Sequence, residues 1–253
     1  MKRSWVILFL GLAAAVTVVA QPAPDVNPSL KGPNVLDYVI SPNSVVFSRT
    51  FSEWDAEWQQ WAYSIPVANH PLFDNGDCSV GQSGMVWFLG GKFCNNNQTC
   101  NTSSVQRNCT VPHGKYLYFP VANGEDSALE ESVNEHPGDA SYQQIGFLRQ
   151  FEDPWASLPG TEYALVDGVL VPNIVSYSIQ SPVFGFTIPD DNYLKAVYAP
   201  PNDFPAGTYY PAVDQGQYLM IAPLPAGHHV IQFGASWPSG WGFNITYFLT
   251  VKR

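Results

Sequence analysis

From Tyr163 onward the chain adopts a hydrophobic period of two, and that alternation constrains its fold more than any other feature. Tyr163-Ala164-Leu165-Val166 and Val169-Leu170-Val171 flank Asp167-Gly168, a pair that accepts the positive φ of a type I′ turn, so a β-hairpin is predicted. Further strands are expected over 173–179, 183–188, 193–198, 217–222, 228–234 and 243–251. In the last, Phe243, Ile245, Tyr247, Leu249 and Val251 share one face, opposite Asn244, Thr246 and Thr250. Gly 20 and Pro 22 together make about one residue in six. Short strands punctuated in this way predict an all-β-dominated fold, a β-sandwich or jelly roll. No long repeat is visible, which argues against a propeller or solenoid.

The N-terminal half adds helices. Thr50-Phe51-Ser52-Glu53 has the form of a capping box. Phe51, Trp54, Trp58 and Trp61 then recur on one helical face until Ile65-Pro66 ends it. Such an aromatic stripe is read as core in preference to a sugar-stacking platform, because each Trp has a large apolar area to bury. Two short strands are expected at 85–89 and 115–120. Residues 124–135, with five acids, read as a short helix with a solvated acidic face. A further helix is expected over 139–152, with Asp139 as its N-cap and Pro154 beyond its end. Two or three helices are therefore expected to pack in the N-terminal half.

Residues 1–20 read as a signal peptide: Lys2 and Arg3 precede the apolar run from Val6 to Val19, and Ala20 sits before Gln21-Pro22. An extended Pro- and Asn-rich arm over 21–45 follows, then a single compact β-rich domain over 46–253. With the signal removed, no remaining stretch is long enough to span a bilayer. The protein is expected to be secreted and extracellular.

Cysteine usage agrees with export. Cys78, Cys94, Cys100 and Cys109 are even in number and close together, and they contain no C-x-x-C pair for zinc. Two disulfides are expected. Of three connectivities, the nested one pairs Cys94 with Cys100 inside a Cys78–Cys109 loop. That loop carries glycosylation acceptors at Asn97, Asn101 and Asn108, and a fourth lies at Asn244.

Charge narrows the function classes. Lys+Arg 11 against Asp+Glu 21 gives a net −10, the wrong sign for a nucleic-acid partner. Charged residues at 13% with aromatics at 14% exclude intrinsic disorder.

Several segments resemble an uncharacterised family of secreted bacterial and fungal proteins. They are Trp54-x-x-x-Trp58, Gly81-Gln82-Ser83-Gly84, Val86-Trp87-Phe88-Leu89, Cys109-Thr110-Val111-Pro112-x-Gly114-Lys115 and Leu224-Pro225-x-Gly227-x-His229. The resemblance implies pairing of Cys78 with Cys109 and marks the Cys94–Cys100 segment as an insertion. It implies no activity.

No nucleophile elbow, zincin motif, P-loop or dinucleotide fingerprint is present. No cofactor is called for. Asp74-Asn75-Gly76-Asp77, near His70, offers oxygen ligands for Ca²⁺ at Asp74 and Asp77, and equally forms a plain Asx-turn into Cys78. Two functions remain. One is a secreted glycoprotein that binds cell-wall or matrix carbohydrate, with Trp237 and Trp241 as ligand-binding rings in a Pro/Gly loop. The other is a secreted hydrolase with a catalytic carboxylate/His site built from Glu125, Asp74 and His229, beside Asn123. A strand-end His229 has a plainer reading, a neutral imidazole held by hydrogen bonds.

Overall fold

A computed structural model describes residues 34–93, 103–150, 161–198, 200–236 and 242–253. Its strands form two mixed sheets. The first runs β1 (Val86–Phe88), β3 (Tyr116–Ser127), β8 (Gly207–Ile221) and β6 (Ser178–Gln180), with β7 (Phe184–Ile188) also paired to β8. The second runs β2 (Ser103–Pro112), β10 (Gly242–Lys252), β9 (Gly227–Ser236), β4 (Tyr163–Val166) and β5 (Val169–Leu170). The strand-dominated architecture with helices mostly in the N-terminal half is the one the alternation predicts.

Alternation explains the layers. Leu117, Phe119 and Val121 of β3 and Leu219 and Ile221 of β8 meet Ile231, Phe233, Ile245, Tyr247 and Leu249 of the second sheet in one buried cluster. The Phe119 and Phe233 rings lie 4.9 Å apart in it. Each such side chain contributes about 1.5–3 kcal/mol by leaving water. The opposite face of the first sheet offers Tyr118, Tyr218 and Met220 to helix α1 (Phe51–Ser64). Helix, sheet and sheet stack in that order.

Helix α1 begins at the expected capping box: Thr50 Oγ1 accepts from Glu53 N at 3.2 Å, and Glu53 Oε2 accepts from Thr50 N at 2.7 Å. Its Trp54, Trp58 and Trp61 are buried. The 163–171 hairpin also forms, with Asp167 at φ 49° and Gly168 at φ 79°. The described part of the N-terminal segment is tied down: Val39 bridges Ile221, and Val35, Leu36 and Tyr38 pack on the core.

Five local expectations change. Residues 103–112 are not a polar loop but strand β2, parallel to β10, with Val105, Cys109 and Val111 inward. Residues 193–198 form helix α4 (Tyr193–Val197), because the Asn192 side chain accepts from Lys195 N and caps a helical turn. Over 173–179 a 3₁₀ turn, Ile174–Tyr177, precedes the short β6. The helix expected from Asp139 starts later, as α3, described over 145–150, since Asp139 folds back onto Ser141 in an Asx-turn.

The acidic stretch differs most. Gly124 to Ser127 continue β3, and helix α2 (Ala128–Glu130) runs into a π-helical turn, Glu131–Glu135. Asp126, Glu130 and Glu131 are buried, not solvated. Among the described residues, no helix is long and apolar enough to cross a membrane.

Candidate functional site

The three proposed acid/base residues occupy three separate environments. Asp74 Oδ1 lies 2.7 Å from Arg107 Nε, and its Oδ2 lies 3.5 Å from Lys92 Nζ. Arg107 is buried, and its Nη1 donates to Gly90 O at 3.0 Å, Gly91 O at 2.8 Å and Tyr247 Oη at 2.7 Å. Asp74 therefore neutralises a structural guanidinium. Both Asp74 carboxylate oxygens thus face cationic side chains. Asp77 accepts from Ser79 N at 2.8 Å, the Asx-turn alternative. Among the described residues, no group of three or more His, Cys, Asp or Glu could hold a metal ion. His70 stays neutral, since burial pulls its pKa down to about 4, and it links Ala62 O to Leu72 N.

His229 belongs to the second sheet. Its Nδ1 lies 2.8 Å from Asp167 Oδ2 and its Nε2 lies 2.9 Å from Pro225 O. A carboxylate and a carbonyl both ask for a donor, so the imidazolium suits the position. The Asp167 hydrogen bond raises the His229 pKa despite partial burial. The hydrogen-bonded strand-end position is the one expected of His229, with Asp167 as its partner.

Glu125 alone reaches a cleft. Strands β3 and β8 are antiparallel, with Asn123 opposite Gly216 and Glu125 opposite Asp214. The ladder shifts between Pro120 and Ala122, and a side chain at Gly216 would bring a Cβ to 2.4 Å from Ala122 O. Only glycine permits that approach, which lets Asn123 reach Asp214 Oδ2 at 2.7 Å. Helix α1 brings Gln59 Nε2 to the same oxygen at 2.6 Å, while Tyr218 Oη donates to Oδ1 at 2.8 Å. Asp55 hydrogen-bonds Asp214 as well. Burial pushes the Asp214 pKa up to about 7 against these bonds.

Above this floor is a cavity of about 160 Å³. Trp58, Phe93 and Tyr193 give it ring surface, and Gln59, Tyr63, Asn123 and Glu125 give it polar groups. Tyr63 Oη donates to Glu125 Oε2 and lies 3.3 Å from Glu130 Oε2. Glu130 is also hydrogen-bonded to Glu125, to Ser127 Oγ at 2.6 Å and to Tyr198 Oη at 3.0 Å. A larger hollow of about 760 Å³ lies along Asp77, Thr110, His113 and Lys252. It contains neither Glu125 nor His229, so the smaller cleft is the better candidate.

No family model matches the chain. No curated protein matches it either. One chain of the solved structure of PbICP-C in complex with falcipain-2 aligns with 67% of this chain and 100% of its own length, at 10% identity and a TM-score of 0.24. A likeness that slight carries no argument about fold or function.

Cys78 and Cys109 form a disulfide. Asn108 on β2 and Asn244 on β10 are both exposed, on the outward side of the second sheet. Cys94, Cys100, Asn97, Asn101, Trp237 and Trp241 lie outside the described residues. Asp55, Tyr63, Glu130 and Asp214 escape a reading of the sequence alone. A signal existed in α1, where Asp55 and Gln59 are four apart beside the Trp stripe and so share one flank of the helix, which is buried.

Proposed function

We propose that the chain is a secreted, N-glycosylated protein that binds extracellular carbohydrate of a cell wall or matrix in the cleft between α1, β3 and α4. The observation that carries this reading is the lining of that cleft. Phe93 stacks on Tyr193 with centroids 4.7 Å apart, beside Trp58, while Gln59, Asn123 and Glu125 supply an acceptor and amide groups. A sugar ring has an apolar C–H face and a rim of hydroxyls, which suits rings joined to a few placed polar groups. A volume of about 160 Å³ is below the roughly 300 Å³ at which ligand pockets usually begin, so a single sugar unit is the ligand expected.

Export is supported by the Lys2-Arg3 and apolar N-terminal pattern and by the Cys78–Cys109 disulfide, a bond of oxidising compartments. The exposure of Asn108 and Asn244 suits glycan attachment. With Asp74 and His229 held elsewhere, the hydrolase alternative reduces to Glu125 as a lone acid beside Glu130.

The test is retention of the purified protein on a panel of insoluble wall and matrix polysaccharides, with released sugar assayed in the supernatant. Binding to one of them, weakened about tenfold or more (roughly 1.4 kcal/mol) by Phe93→Ala, is the expected result. No retention on any polymer, or unchanged retention by the variant, overturns the proposal. Sugar release abolished by Glu125→Gln would assign hydrolysis instead.

A further inference from the structure

Six carboxyl groups meet in three contacts beneath the cleft. Asp55 of α1 hydrogen-bonds Asp214 of β8, Glu125 of β3 hydrogen-bonds Glu130 of α2, and Asp126 of β3 hydrogen-bonds Glu131 of the π-helical turn. Asp55, Asp126, Glu130, Glu131 and Asp214 are all at most 3% exposed. Two carboxylates have no proton to share, and at about 4 Å they repel by roughly 4 kcal/mol even at an effective dielectric of about 20. Each contact is attractive only while one proton lies between the two groups.

The surrounding groups do not relieve that requirement. From α1 come Gln59 and Tyr63, from β3 Asn123 and Tyr118, from β8 Tyr218, from the start of α2 Ser127, and from α4 Tyr193 with the adjoining Tyr198. These neutral donors satisfy one charge per pair and cannot offset a second. Two basic side chains approach. His136 Nδ1 lies 2.5 Å from Glu131 Oε2, and Arg149 donates to the main-chain carbonyls of Asp214 and Ser181 at 3.1 and 2.5 Å.

We propose that the three carboxyl pairs form an acid-dependent latch that fastens α1 to β8, and β3 to the turn after it, only while each pair retains its shared proton. The latch does not rest on the carbohydrate reading. Burial raises the Asp126 pKa to about 8, with Glu130 and Glu131 adding to the effect, and it raises Asp214 to about 7 and Glu130 above the ordinary range. A carboxyl whose folded-state pKa is raised stabilises the fold fully below its unfolded value, 3.8 for Asp and 4.5 for Glu. That contribution falls away as pH rises through about 7 to 8.

The test is the thermal unfolding midpoint of the ligand-free full chain between pH 4 and pH 8, with the infrared band of protonated carboxyls followed over the same range. We expect the midpoint to fall by on the order of 10 °C, with protonated-carboxyl absorbance persisting above pH 6. Asp55→Asn and Glu131→Gln replace one member of a pair by an uncharged amide, and each should flatten the slope. Asp203→Asn, an exposed position, should leave it unchanged. A midpoint that is flat or rises toward pH 8, or carboxyl absorbance lost below pH 5, overturns the latch. So does an unaltered slope in both amide variants. If neither variant folds, the wild-type midpoint and infrared titrations still decide. Neither measurement involves sugar, so failure of the latch and failure of the binding proposal are read separately.

Discussion

Glu125 stands directly opposite Asp214 in the β3–β8 ladder, yet the two carboxyls are held by different sets of partners. Like charges at such a position repel. Here Glu125 turns to Tyr63 and Glu130, whereas Asp214 turns to Gln59, Asn123, Tyr218 and Asp55. The floor of the cleft is therefore a polar network inside a hydrophobic sandwich, and its worth depends on every donor finding an acceptor.

Asp214→Ala removes the acceptor for two buried donors, Gln59 and Tyr218, and for the half-buried Asn123. At about 1–3 kcal/mol for each group left unsatisfied, the loss should exceed 3 kcal/mol and lower the unfolding midpoint by on the order of 10 °C. Asp214→Asn should recover only part of this, since one amide oxygen faces three donors. Calorimetry of both variants checks the order.

Asp74 is expected to matter for stability and not for turnover or binding. Asp74→Ala leaves the Arg107 guanidinium, 8% exposed, without its carboxylate. Asp74 itself is partly exposed, so the cost is set at about 2 kcal/mol, below the 3–5 expected of a fully buried pair. Denaturant unfolding should show the loss while polysaccharide retention stays unchanged. Reduced retention in the folded variant would contradict this assignment.

The His229–Asp167 contact makes a separate pH prediction. The raised His229 pKa means that its stabilisation is complete below about pH 6.5 and is lost as pH rises through the higher folded-state value. The contribution is about 1 kcal/mol after allowing for solvent screening. A proton NMR titration of His229 should give a midpoint above 6.5 that falls in Asp167→Asn.

The Cys78–Cys109 bond closes a loop with a sequence separation of 31. Chain entropy assigns such a closure about 3.5 kcal/mol, so the Cys78→Ser, Cys109→Ser double variant should unfold on the order of 10 °C lower than wild type. An unchanged midpoint would mean that the sheet alone holds β2 in place.

Much of the fold was legible because its signals are local. The Thr50–Glu53 box, the Trp54-Trp58-Trp61 stripe, the Asp167-Gly168 turn and the alternation of β10 each lie within a dozen residues. What escaped was non-local or two-faced. Strand β2 alternates too, with Val105, Arg107, Cys109 and Val111 inward, but Gln106, Asn108 and Thr110 between them give it the look of a glycosylated loop. Tyr193 to Val197 form a short, mostly apolar run that suits a strand as well as a helix, and the Asn192 cap decides for helix. The candidate site was legible only at Glu125 and Asn123. Acids are assigned to the surface from sequence, and nothing local announces that Asp55 and Asp214, on elements far apart in the chain, will meet in the core.

The parallel pairing of β2 with β10 also sets the order in which the molecule can be completed. Arg107 and Tyr247 face each other across that ladder and are bonded over a separation of 140 residues. Among the described strands β2 pairs with β10 alone, and β10 lies far later in the chain, so β2 emerges during synthesis well before its partner. A waiting strand with one apolar face is an open template for association with other chains. The polar outer face of β2, with Gln106, Asn108 and Thr110, fits a strand that must wait for β10 without associating elsewhere.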